Sequence, residues 1–270
     1  MVTKRNCYTA ILALLFLAGS LAAQPHSCTQ QTVVGTYALA FDGMVITSQA
    51  PVPVAGLSIV MIDPSGIVNA PGYMAVGSAP QWYPQGPGAM IVNTDCTGEV
   101  AWKDGQGQTI GIGELIVRDG GDEIDSIMIY SASGFPVITG RWKRISRVPD
   151  IDHPGMCSPH SVFGTYVARE KGVHVIPGAG PVPGEMLARI AIDHSGTVAM
   201  SGMVMIAANS TPMPITIANG KWVEGALACT GMGTGDLEVG GTKIGSVEDW
   251  FVVLDGGNEL WGISVADPIG

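Results

Sequence analysis

Basic residues are scarce in this chain: 13 Lys plus Arg stand against 23 Asp plus Glu, giving a formal net charge of −10. A surface of that sign repels phosphate backbones and anionic lipid headgroups, so a nucleic-acid partner is excluded as a leading reading. Charged residues of both signs make up only 13% of the chain against 46% hydrophobic, which excludes a disordered or solvating polyelectrolyte. Local catalytic signatures are also missing. There is no Gly-x-Ser-x-Gly elbow, His-Glu-x-x-His pair, phosphate-cradling Gly-x-x-x-x-Gly-Lys loop or dinucleotide fingerprint. A site assembled from distant strands stays open. Helical periodicity is lacking as well, because 38 Gly and 18 Pro interrupt nearly every window long enough to hold a helix.

Only one long apolar run occurs, Ala10 to Ala18, preceded by Lys4 and Arg5 and followed by Gly19, Ser20, Ala22 and Ala23. This is the three-part pattern of a secretory signal peptide, expected to span residues 1–23. The run is too short for a stable membrane anchor. Export to the periplasm or medium favours disulfides over metal-binding thiols. Cys7 falls within the leader, and Cys28, Cys96, Cys157 and Cys229 remain.

What is present is a duplication. Cys28, Gly35-Thr36-Tyr37, Pro51-Val52-Pro53, Ile62-Asp63-Pro64-Ser65-Gly66, Cys96-Thr97-Gly98 and Asp119-Gly120-Gly121-Asp122-Glu123 recur in order. Their counterparts are Cys157, Gly164-Thr165-Tyr166, Pro181-Val182-Pro183, Ile192-Asp193-His194-Ser195-Gly196, Cys229-Thr230-Gly231 and Asp255-Gly256-Gly257-Asn258-Glu259. The offset grows only from 129 at the first cysteines to 136 at the Asp-Gly-Gly turns, so insertions are confined to loops. Four cysteines allow three connectivities, and only Cys28–Cys96 with Cys157–Cys229 treats both copies alike. The expected organisation is a first repeat over 24–148, a linker over 149–156 and a second repeat over 157–270.

In the first repeat, apolar runs rich in Val, Ile and aromatics predict strands at Val34 to Phe41, Ala55 to Ile62, Ile67 to Val76 and Ala89 to Asn93. Four more follow at Glu99 to Lys103, Ile112 to Arg118, Glu123 to Tyr130 and Val137 to Ile145. Tight turns such as Asp-Pro-Ser-Gly and Asp-Gly-Gly-Asp favour sequential antiparallel pairing. The expectation is all-β: two tandem up-and-down barrels of about eight strands each, closure being favoured because it removes exposed edges. A single membrane barrel of about sixteen strands is the weaker alternative.

The order Cys, Gly-Thr-Tyr, Asp-x-Ser-Gly, Asp-Cys-Thr-Gly, Asp-Gly-Gly-x-Glu and a closing Thr139-Gly140-Arg141-Trp142 resembles a group of uncharacterised exported proteins of soil bacteria. Their duplicated repeats resemble calycin or lipocalin barrels. That resemblance implies that an aromatic on the first strand stacks under a basic residue from the end of the barrel. Gly35-x-Tyr37 with Arg141 or Arg144 would fill these parts in the first repeat, Tyr standing where lipocalins have Trp; the second has Gly164-x-Tyr166 without a basic partner.

Candidate chemistry is sparse. Asp193, His194 and Ser195 place orienting carboxylate, base and nucleophile in adjacent positions, and His174 is a further base, but the same three residues also suit a hairpin turn. Asp119, Asp122, Glu123 and Asp125 crowd carboxylates that suit Ca²⁺, the one cofactor considered. His26, His153 and His160 show no metal-ligand spacing. The Pro-rich segment 78–88 carries the candidate ligand-binding residues Trp82 and Tyr83 and reads as a loop that lids a barrel mouth, forms a surface-binding patch or packs back on the barrel. Trp250-Phe251-Val252-Val253-Leu254 is apolar on both faces, and Met200, Met203 and Met205 add adaptable apolar surface. Three functions are expected in order: binding a small apolar molecule, hydrolysis of small esters or lactones, and a structural envelope role.

Overall fold

The computed structural model describes residues 27–77, 80–149, 159–176, 180–206, 209–225, 227 and 229–266. The expected leader, Cys157, His26 and His153 lie outside the described residues, as does all of the expected linker except Pro149.

The first repeat folds into eight strands: β1 (Gly35–Ile46), β2 (Pro51–Ile62), β3 (Ile67–Val76), β4 (Gln81–Val92), β5 (Thr97–Lys103), β6 (Thr109–Arg118), β7 (Glu123–Ser131) and β8 (Phe135–Ser146). Each pairs antiparallel with the next, and β1 also pairs with β8, from Thr36↔Ser146 to Ile46↔Phe135, which closes the barrel. The second repeat forms β9 (Gly164–Ile176), β10 (Gly180–Ile192), β11 (Thr197–Ile206), β12 (Asn209–Glu224), β13 (Thr230–Val239), β14 (Thr242–Leu254) and β15 (Glu259–Ala266). These make a nearly closed meander of seven strands in sequential order. Among the described residues no counterpart of β8 exists. The architecture is therefore two tandem barrels and not one large one.

Segment 81–88 is strand, not loop. Two prolines are tolerated because β4 pairs with β3 along this stretch, while its pairing with β5 begins only at Ala89. One side of the backbone is thus free of ladder bonds, and a missing N–H costs little there.

One end of the first barrel is plugged. A 3-10 turn at Gln30–Val33 drops Val33, fully buried, onto the ring of Tyr37 and its neighbours. Cys28 is bonded to Cys96, with Cα atoms 4.9 Å apart, tying this turn to the β4–β5 hairpin. Cys229 is also disulfide-bonded and shares the left-handed backbone of Cys96, with φ 61° against 66°; its expected partner Cys157 is outside the described residues. Gly121 has φ +90°, and a Cβ there would meet the Thr32 carbonyl at 2.1 Å. Gly257 repeats this against the Ser161 carbonyl. The second glycine of each Asp-Gly-Gly turn is thus required by close approach of the plug.

Alternation along the strands separates inside from outside. Tyr37, Leu39, Phe41 and Val45 of β1 point inward, whereas Ala38 and Ala40 point outward. On β14, Val247 belongs to the interior of the second repeat, while Trp250, Val252 and Leu254 bury themselves against Ala38, Leu57 and Ile59 of the first. The two barrels therefore meet outer face to outer face. Tyr73 and Trp82 pack on Trp250 with centroids 5.5 and 6.3 Å apart. Lys143 caps the seam, donating to Asp255 at 2.6 Å and to Glu259. Burial opposes the charge of Lys143, but these hydrogen bonds outweigh it and raise its pKa.

Candidate functional site: a cavity inside the first barrel

The interior of the first barrel is not filled. A cavity of about 200 Å³ lies above the plug, walled by apolar side chains such as Leu39, Phe41, Val54, Val100, Met128 and Ile138. It exists because small residues occupy inward positions at mid-strand: Ser58 on β2, Gly111 and Gly113 on β6, Ser126 on β7 and Gly140 on β8. Trp102 and Trp142 belong to the same wall and stack on one another at 5.9 Å with 20° between their planes. Ser126 fixes the second of these rings, accepting from the Trp142 Nε1–H at 3.0 Å and donating to the Gly140 carbonyl at 3.3 Å. None of the lining residues is Asp, Glu, Lys, Arg or His. Polar groups are few: the hydroxyls of Ser58, Ser126, Ser131, Ser133 and Tyr83. Ser131 and Ser133 belong to the β7–β8 turn, and Val76 ends β3, so the cavity reaches the rim opposite the plug.

The plug beneath is rigid and hydrogen-bonded. Tyr37 donates to the Gly121 carbonyl at 2.8 Å and accepts from Arg144 at 2.7 Å. Arg144 also donates to the carbonyls of Thr32 at 2.5 Å and Gly121 at 2.6 Å, with its guanidinium carbon 5.2 Å from the centre of the Tyr37 ring. Burial pushes the Tyr37 phenol up to about 12, more than Arg144 pulls it down. Of the two arginines expected over Tyr37, Arg144 takes that place; Arg141 lies outside, bonded to Glu123 at 3.1 Å and 5.9 Å from the Trp261 ring. In the second repeat the Tyr166 hydroxyl sits 2.9 Å from the Val162 carbonyl and 2.8 Å from that of Gly257. Burial raises its pKa too.

Trp82 and Tyr83 are neighbours on a strand and face opposite ways. Tyr83 lines the cavity, and Trp82 joins the contact with the second repeat.

The remaining candidates are not gathered into a site. Asp193 accepts from the Ser195 hydroxyl at 2.6 Å and from the backbone N–H groups of Ser195 and Thr197 at 2.8 and 3.0 Å. The Ser195 bond is the main reason that its pKa is lowered. Asp63 makes the same three bonds to Ser65 and Ile67, with Pro64 where His194 stands. The geometry of 193–195 is thus that of a turn which needs no imidazole; His194 packs edge-on against Phe163 at 4.9 Å. His174 pairs through its backbone with Val182, whereas Ile192, next to Asp193, pairs with Gly164 at the other end of β9. Ten residues of strand separate the two histidines, about 34 Å. Nothing further is described of the His174 side chain.

Three of the four carboxylates at 119–125 pair with arginines. Asp122 meets Arg147 at 3.0 Å, Glu123 meets Arg118 and Arg141 at 2.9 and 3.1 Å, and Asp125 meets Arg118 at 2.8 Å. No group of three His, Cys, Asp or Glu suited to a metal ion occurs among the described residues.

Sequence reasoning expected a small apolar ligand and named Tyr83, which lines the cavity, but did not identify the rest of the lining. Its signal was the set of small inward residues, which becomes visible only once strand register is known. Comparison with protein-family models and with curated proteins finds no match for this chain.

Proposed function

We propose that this is an exported protein which binds one small, uncharged, mainly apolar molecule inside its first barrel. The observation that carries the reading is the 200 Å³ apolar cavity with no charged lining residue. An apolar cavity of about 150 Å³ is already enough to stay dry and take up a benzene-sized molecule. A charged ligand would lose its hydration without gaining a counter-charge, so the site favours neutral molecules. The serine hydroxyls offer hydrogen bonds to one polar group such as an alcohol, ketone or ester. Export is supported by the leader pattern at 1–23 and by the disulfide. The Tyr37–Arg144 plug supports kinship with lipocalin-like barrels, in which an aromatic and a basic residue meet at the closed end.

The test is competition against an environment-sensitive apolar dye. Neutral medium-chain alcohols and methyl esters are expected to displace it, and the carboxylates of the same chain length are not. Equal displacement by both would overturn the neutral-ligand reading, and the absence of saturable dye binding would overturn the carrier.

A further inference from the structure

The contact between the two barrels is heterologous. One partner face is the outer side of β1–β3 with the end of β8 in the first repeat: Ala38, Leu57, Ile59, Tyr73 and Ile145. The other is the outer side of β14–β15 in the second: Trp250, Val252, Leu254, Trp261 and Ile263. Because the repeats are copies, each face has a counterpart on the other barrel, and apolar residues of both counterparts are exposed among the described residues. Ala38, Leu57 and Tyr73 correspond to Val167, Leu187 and Met203 on β9–β11, which are 80%, 60% and 45% exposed. Val252, Ile263 and Val265 correspond to Ile116, Ile127 and Ile129 on β6–β7, which are 57%, 50% and 47% exposed.

The pairings place these residues side by side. Leu187 sits opposite Met203 and Arg169, and Val167 sits opposite Arg189. Across β6 and β7, Ile127 sits opposite Glu114, and Ile116 opposite Asp125. Each is thus an apolar patch rimmed by charge, the character of an association surface. The charges are complementary. Arg169 and Arg189 outnumber Glu185 on the β9–β11 face, whereas Glu114, Glu123 and Asp125 outnumber Arg118 on the β6–β7 face.

The geometry points to head-to-tail self-association: the β9–β11 face of one chain docks on the β6–β7 face of a second copy, repeating between chains the contact made within each. A heterologous contact of this kind leaves one face of each type free at the ends, so it continues into a filament or closes as a ring. The occupant is another copy of this chain, because the faces that meet inside it are the structural counterparts of those left open outside. The inference is independent of the cavity and its ligand.

Sedimentation velocity across micromolar to millimolar concentrations tests it with two single variants of the full chain, Leu187→Asp and Ile116→Asp. Both positions are exposed, so circular dichroism and the urea midpoint are expected to match the native protein. The native protein is expected to grow beyond a dimer or to form a closed ring, and each variant alone to stay monomeric. An equimolar mixture of the two is expected to recover a 1:1 dimer and stop there, since Leu187→Asp keeps an intact β6–β7 face and Ile116→Asp an intact β9–β11 face. A native protein that stays monomeric throughout would overturn the inference. So would self-association of either variant by itself, which would reveal a face pairing with its own kind, or a mixture that stays monomeric.

Discussion

Trp102 of the first repeat corresponds to Gly235 of the second, Val100 to Gly233 and Leu115 to Phe251. In the first barrel the large rings rise from β5 and β8, and small residues across from them leave the cavity. In the second, glycines on β13 make room for rings from neighbouring strands: a Cβ at Gly231 would meet the Trp222 ring at 2.0 Å, and one at Gly233 the Phe251 ring at 3.0 Å. Trp222 and Phe251 lie 5.6 Å apart in the space so made. The outer faces differ as well. Glu114, Ile116 and Arg118 on β6 become Trp250, Val252 and Leu254 on β14, exchanging a strand left open within the chain for one buried against the partner barrel. One scaffold thus carries two interiors: small inward residues bound a cavity in the first copy, and glycines on β13 receive the Trp222 and Phe251 rings in the second.

The largest effect expected from perturbing this comparison is common to both repeats. Cys28→Ser removes a crosslink spanning 68 residues of sequence, and the chain-entropy relation puts the loss at about 4 kcal/mol. Urea unfolding should show it, with Cys229→Ser giving a loss of the same order. Trp250→Ala separates the copies: it deletes a large side chain from the contact between the barrels, and a loss of about 3 kcal/mol is expected. Its structural counterpart Glu114→Ala should change stability by no more than about 0.5 kcal/mol.

Next comes alkaline pH. The Tyr37 phenol is held at about 12 in the folded protein, above its ordinary value of 10, so the unfolded state releases its proton first. Stability is then full below pH 10 and falls between pH 10 and about 12, by roughly 2–3 kcal/mol for a shift of this size. Tyr37→Phe should flatten that slope and Tyr166→Phe should flatten it less, as urea midpoints across the alkaline range will reveal. A small stability effect is also expected of Val54→Phe, which places a ring in the cavity and costs under about 1 kcal/mol.

The strand pattern was legible in advance because β-branched runs and Asp/Gly/Pro turns alternate clearly, and all eight predicted runs of the first repeat coincide with strands. β4 was legible only from Ala89 onward, since Pro84, Gly86 and Pro87 mark a loop unless one knows that the β5 side of that stretch carries no ladder. The two-faced apolar run 250–254 left core filling, a ligand cavity and a face between the copies open, and register decides: Val253 points inward, while Trp250, Val252 and Leu254 point outward against the first repeat. Which residues make the cavity was hidden for a physical reason. Voids are made by the absence of side-chain volume at positions brought together across four strands, and no local pattern records that. The Asp-His-Ser triplet suited a turn as well as chemistry, and its Asp193–Ser195 bond is that of the turn, while Glu123 and Asp125 of the acidic cluster are held in ion pairs.

The most direct measurement of the central claim is a titration of an environment-sensitive apolar dye into the native protein and into Val54→Phe, with bound dye counted per chain. The account predicts one dye per native chain and none for Val54→Phe at an unchanged fold. Saturable binding that survives Val54→Phe would contradict it by placing the ligand site outside the first barrel.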